Sequence, residues 1–223
     1  ETGLPRNLIG NLLSGLEHHV NSLRGALRGS WRLWRTWGTH EVPTRAPPFS
    51  VRAALAVAHH LWMWGYRGAA ILTCLGFDRF LRTMEFLSLT AAQLTFDARL
   101  SRVHIMLPWS KGAARRGASE GVVVTDATLI RLLHGLTRDV MPGDRLVGIS
   151  ARQYRVLFDQ AISALGLRQD FKPYSLRRGG ATHHFRRWCN MSWTMEVGRW
   201  SDFRTAKIYV DSALLDLTNI LLL

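Results

Sequence analysis

The chain has 223 residues, enough for one full hydrophobic core plus a small appendage. Apolar residues make up 47% of it, which excludes a disordered chain, and no apolar run reaches the roughly 18 residues that a membrane span needs. Lys and Arg total 29 against 16 Asp and Glu, a net charge of +13, so a polyanion is the expected partner, with nucleic acid ahead of an anionic membrane surface.

Residues 4–40 read as a helical appendage. Leu8, Ile9, Leu12, Leu13, Leu16, Val20 and Leu23 recur at helical spacing. Trp31, Trp34 and Trp37 come next, three apart, close to one helix face, and are expected to form a buried stripe packing on the next domain rather than a base-stacking one. Pro43, Pro47 and Pro48 make the next stretch an extended linker, and Ser50 is the expected N-cap of the helix after it. Residues 51–65 and 67–76 are apolar enough for buried helices. In the unit Phe80–Leu89, Arg82 and Glu85 stand three apart, as on one helix face.

The period then changes. Gln93–Asp97, Arg102–Pro108 and Gly121–Thr125 predict three short strands, and the Gly-rich basic stretch Trp109–Gly117 predicts a hairpin tip between the last two. Asp126 and Ser150 are expected to cap helices over residues 126–139 and from 150 to about 165, separated by a turn at Met141–Asp144. After Pro173, Tyr174 enters at a helix start. Ser175 is the expected cap of a helix to about Trp188, and Ser192 is expected to open a shorter one ended by Gly198. Ser201 or Asp202 would cap a last helix carrying Tyr209, and an apolar tail from Leu214 to Leu223 would dock in cis or on a neighbouring copy.

The stretch Tyr174-Ser175-Leu176-Arg177-Arg178-Gly179-Gly180-Ala181-Thr182, then Trp200, then Tyr209, sets three groups suited to phosphate chemistry in order. Arg177 carries a permanent charge and a fork of donors that matches two phosphate oxygens. Trp200 has an indole N–H that never titrates. Tyr209 has a hydroxyl that can attack phosphorus and leave again. The small residues after Arg178 would let this helix lie close against another backbone.

This ordered set resembles the catalytic domain of tyrosine recombinases, the phage-integrase-like strand-exchange enzymes. Tyr174-Ser175-Leu176-Arg177 looks like the family's His-x-x-Arg box, with Tyr174 standing where most members have His. The resemblance implies a mainly α fold with a small three-stranded antiparallel sheet. It implies residues 1–42 as the end of an N-terminal helical DNA-clamping domain, 43–49 as linker and 50–223 as the catalytic domain. It further implies Arg82 as the first catalytic arginine, supported by Glu85, and Lys111 as the hairpin lysine. Tyr174, Arg177 and Trp200 would complete the site around the nucleophile Tyr209, while Arg115, Arg116 and Arg178 would contact DNA.

The implied activity is site-specific cleavage and rejoining of double-stranded DNA through a 3′-phosphotyrosyl bond, without metal or cofactor. Four protomers would act on two duplexes, from a chain that can stand as a monomer without DNA, inside the cell where DNA is. The histidine pairs lack metal-ligand spacing, and Cys74 and Cys189 read as reduced thiols far apart in sequence. Two alternatives remain: a DNA-binding remnant without turnover, and a relaxing enzyme of the type IB topoisomerase kind, which shares the site without pairing two duplexes.

Overall fold

The structure, a computed structural model, describes residues 6–40, 45–97, 99–107 and 120–210. The chain divides into two compact units, Glu1–Arg45 and Ala46–Leu223.

In the first unit, α1 (Arg6–His19) and α2 (Arg28–His40) pack on each other. Trp34 sits against Gly10, donates its indole N–H to the Arg6 carbonyl at 2.9 Å, and has the Arg6 guanidinium 4.0 Å from its ring centre. The expected buried tryptophan stripe is not there: α2 has no buried residue, and Trp37 is exposed. Trp34 hydrogen-bonds α1 and Trp31 packs edge-on against Trp34 at 5.5 Å; a three-residue spacing drifts around the helix, which leaves Trp37 exposed.

The second unit contains α3 (Val51–Met63), α4 (Arg67–Asp78), α5 (Thr83–Leu87), β1 (Leu94–Phe96), β2 (Val103–Met106) and β3 (Gly121–Val124). After these come α6 (Ala127–Arg138), α7 (Ala151–Ala164), α8 (Tyr174–Trp188) and α9 (Met191–Gly198), and residues 203–210 form a last helix, α10. The architecture is mainly helical with a three-stranded antiparallel sheet in the order β1-β2-β3. Its inner face carries Val103, Ile105, Val122 and Val124, all buried, in the alternation a one-sided sheet needs.

The main core gathers around α4, which packs on α3, α5, α6 and α8. Inside it Thr73 and Tyr154 satisfy each other at 2.8 Å, and burial pushes the Tyr154 phenol well above its usual range. A second cluster, formed by Phe80, Ala181, Phe185, Trp200, Ala206 and Val210, ties α8 to the last helix.

The capping expectations hold at Ser50, Asp126 and Ser150, whose side chains accept from Ala53, Leu129 and Gln153 N–H. Two helix starts differ from expectation. Pro173, not Ser175, stands at the N-cap of α8, because proline's fixed φ already suits a helix start; Ser175 is buried in the first turn and accepts from Lys172 N–H at 3.1 Å. Asn190, not Ser192, caps α9 through Trp193 N–H at 2.9 Å. Cys189 in the left-handed region ends α8, which leaves Asn190 as the single residue between that cap and α9.

Close seating of α8 is what positions the site. A Cβ on Gly179 would collide with the Phe49 carbonyl, and one on Gly180 with the Phe77 carbonyl, both of them backbone. No side chain fits between α8 and those two segments, as the run of small residues implies.

Candidate active site

Arg177 is the centre of the arrangement. It lies on the first turn of α8 and is 1% exposed, although it carries a charge. One guanidinium nitrogen donates to the Phe80 carbonyl and Nη2 donates to the Gly198 carbonyl at 3.0 Å. Nε is buried and has no hydrogen-bond partner among the described residues. Burial, then the neighbouring charges of Arg82 and Arg199, lower the Arg177 pKa from its ordinary value. Phe80 presents its carbonyl from the left-handed region, φ +48°, a conformation that costs about 1 kcal/mol or more for a bulky residue and needs the surrounding packing to hold it.

The aromatic groups line up beside this cation. Trp200 is buried and stacks on Tyr209, centroids 4.5 Å apart at 21°, and on Phe80 at 6.1 Å and 20°. The Arg177 Cζ lies 5.0 Å from the Trp200 ring centre and 5.6 Å from that of Tyr209. Trp200 thus packs the site through ring contacts with both Phe80 and Tyr209. The backbone of α10 is fixed as well: Thr182 donates to the Tyr209 carbonyl at 2.8 Å.

Arg178 faces the other way, to the Ala46 carbonyl at 2.5 Å and the Ile208 carbonyl at 3.2 Å. An arginine expected on DNA therefore holds the chain on either side of α8.

Tyr174 and Tyr209 meet hydroxyl to hydroxyl. Burial, and then the Tyr209 hydrogen bond, push the Tyr174 pKa up to about 12, against the opposing charges of Arg177 and Arg82. Tyr174 stays protonated at neutral pH and offers a hydroxyl, not a base.

Arg82 approaches from another segment. It stands at the N-cap of α5 rather than within a helix, and its side chain is half exposed. Glu85 is almost fully buried and takes Arg82 Nη1 at 2.5 Å through one oxygen, and the Arg82 backbone N–H at 2.8 Å through the other. Burial opposes charge on both partners. On Glu85 the Arg199 charge and the Arg82 bonds win, and its pKa is lowered; on Arg82 the Glu85 hydrogen bond wins, and its pKa is raised. Arg82 is close enough for its charge to act on Tyr174 and Arg177.

Arg82, Glu85, Tyr174, Arg177, Trp200 and Tyr209 thus converge from α5, the start of α8, the turn after α9, and α10. Lys111, Arg115 and Arg116 lie outside the described residues.

Solved structures resemble this arrangement of elements. An XerH site-specific recombinase bound to palindromic difH substrate, in a post-cleavage complex, matches with a TM-score of 0.62 at 16% identity, over 79% of this chain and 53% of that one. A lambda integrase dimer bound to a COC′ core site matches with a TM-score of 0.61 at 12% identity, over 93% of this chain and 65% of the other. The chain has a tyrosine-recombinase catalytic-domain-like fold. The Tn1549 transposon integrase in complex with transposon right end DNA shares this tyrosine-recombinase fold, with a TM-score of 0.57 at 11% identity, over 80% of this chain and 67% of that one. The chain spans about half the length of the XerH chains it matches. No protein-family model matches it, and no curated protein sequence does.

Within this tyrosine-recombinase-like fold, sequence reasoning passed over one residue. Arg199, between Gly198 and Trp200, is a left-handed residue with φ +57° and a side chain only 9% exposed. It donates to Glu85 at 2.7 Å and to Glu120 at 3.4 Å. Two acidic partners at 114 and 79 residues' distance leave no local pattern to find; the only hint is a charged residue set between the glycine and the tryptophan of the motif.

Proposed function

We propose that this chain cleaves and rejoins double-stranded DNA through a covalent 3′-phosphotyrosyl link to Tyr209. The observation that carries the reading is the convergence of Tyr209, Trp200, Arg177, Tyr174 and Arg82 in one cluster, on a fold shared with recombinases solved with their DNA.

Tyr209 Oη attacks a backbone phosphorus and gives up its phenolic proton to solvent water as it does so. As that bond forms, the bond to the 5′-oxygen breaks and leaves a 5′-hydroxyl. Arg82 and Arg177 offset the charge on the non-bridging oxygens in the crowded transition state, where losing one such donor costs roughly 3–4 kcal/mol. The unpartnered Nε–H of Arg177 is a buried donor of the kind a phosphate oxygen satisfies. Lys111 protonates the departing 5′-oxygen, the role the family resemblance gives it. Tyr174 orients the Tyr209 hydroxyl and donates to phosphate, in place of the proton shuttle that a histidine provides. The link conserves the energy of the phosphodiester, so a second DNA end reverses the step without a nucleotide cofactor.

In this reading residues 1–42 are the end of a helical clamp, 43–49 a linker, and 50–223 the catalytic domain. Two duplexes are brought together by four protomers, and Arg115 and Arg116 assist on the phosphate backbone, while Arg178 acts through the Ala46 and Ile208 carbonyls it holds. The place of action is wherever the target DNA lies, in a nucleus or a nucleoid.

The test incubates the chain with supercoiled plasmid and a nicked-duplex trap, in chelator, and then resolves the mixture by denaturing electrophoresis. A protein–DNA band in wild type that is absent in Tyr209→Phe is expected. Binding without any band would favour the remnant reading, which Tyr174 in the histidine position specifically motivates. Plasmid relaxation without joining of two duplexes would favour the topoisomerase-like reading.

A further inference from the structure

We propose that Arg199 is a positioning residue that clasps three parts of the site together; this rests on the cleavage reading above. Its guanidinium reaches the buried carboxylate of Glu85, which in turn holds Arg82 by side chain and backbone. Its Nε reaches Glu120, the residue that leads into β3 and whose carbonyl takes the Leu107 N–H at 2.8 Å across the foot of the β2–β3 connection. That connection, residues 108–119, contains Lys111. The Arg199 backbone is one link from the Gly198 carbonyl that takes Arg177, and one from Trp200. One side chain therefore ties the Arg82 segment, the root of the lysine-bearing segment and the tryptophan turn.

Two features argue that the arrangement is held for its geometry. A left-handed arginine is strained where glycine would not be. The glycine of the turn, Gly198, stands one position earlier, where a Cβ would strike the Trp200 ring. Moreover, Glu85 and Glu120 would each repel a phosphate. Arg199 sets one positive charge between the two, in a setting where charge is weakly screened.

The informative variant is Arg199→Gly, because glycine accepts the left-handed backbone and removes the side-chain bonds to Glu85, to Glu120 and, at 3.5 Å, to the Arg79 carbonyl. In the trap assay at saturating DNA, where weaker binding does not limit the rate, it is expected to lower the rate of adduct formation roughly 100-fold, the loss expected of a reacting group misplaced by about 1 Å. Arg199→Lys, which keeps the charge but puts all its donors on one atom in place of a fork spread over Nε and Nη2, should fall in between. Because part of the Arg199 effect runs through Glu85 to Arg82 and part through Glu120, Arg199→Gly should slow the Arg82→Ala variant by clearly less than it slows wild type. Wild-type rates in Arg199→Gly, or losses that multiply in the double variant, would overturn the proposal.

Amide hydrogen exchange without DNA supplies a separate readout. Exchange at residues 82–87 and 120–124 should speed up in Arg199→Gly while the α4 core stays protected. Unchanged exchange there would contradict the clasp. A wild type that forms no adduct would count against the cleavage reading, and the exchange comparison would still decide whether Arg199 clasps the hairpin foot.

Discussion

Tyr174 shows how one side chain redistributes roles in a site. Its hydroxyl touches that of Tyr209, and burial together with that contact pushes its pKa up to about 12. A group that loses its proton only near that pH adds no step to the cleavage rate between about pH 6 and 9, where a histidine titrates near ~6.5. Tyr174→Phe should slow adduct formation by roughly 10-fold or more through loss of one donor. Tyr174→His should introduce a rate step near neutrality that wild type lacks. Rate–pH profiles of the three proteins check this, and identical profiles for wild type and Tyr174→His would remove Tyr174 from the chemistry.

At the same scale, the Arg82–Glu85 pairing was legible from a three-residue spacing, while Tyr174 and Arg177 were singled out by their resemblance to the recombinase box. The rest was hidden because it depends on backbone reached from afar. Arg177 is held by the carbonyls of Phe80 and Gly198, 97 and 21 residues away, and nothing in its own turn announces either.

Among the elements, α8 carries the site, and its seating leaves no room for a Cβ at two positions. Gly180 faces the Phe77 carbonyl with no room for a methyl group, and Phe77 lies three residues before the strained Phe80 that receives Arg177. Gly180→Ala should therefore destabilise the protein by about 1–3 kcal/mol, the usual cost of overpacking, although alanine is the better helix former. Chemical denaturation of wild type and variant reads this directly; an unchanged or raised midpoint would show that α8 can move away without cost. The close approach was readable from Gly179, Gly180 and Ala181. The helix starts at Pro173 and Asn190 were not, because each turned on which of two nearby candidates the preceding chain left free. The tryptophan stripe of α2 misled for a related reason: spacing places side chains on a face but does not say how wide the covering surface is.

The whole molecule is a basic body, +13 over 223 residues, that presents a half-exposed Arg82 beside a largely buried Arg177. Binding to nonspecific duplex should be dominated by released counterions and fall roughly 10³-fold or more between about 50 and 200 mM salt. A salt titration of the mobility shift checks it, and a flat response would mean that the surplus charge does not face DNA. The class of fold, helical with one small sheet, was legible as a change from helical to alternating period around residue 93.

The central claim is that Tyr209, and not the tyrosine hydroxyl touching it, becomes bonded to DNA. Trapped adduct digested with nuclease and trypsin, then sequenced by mass spectrometry, tests this most directly. The two candidates fall on different peptides, one beginning after Lys207 and the other ending at Arg177. The account predicts nucleotide mass on Tyr209 alone. Nucleotide mass on Tyr174, or on neither peptide, would contradict it.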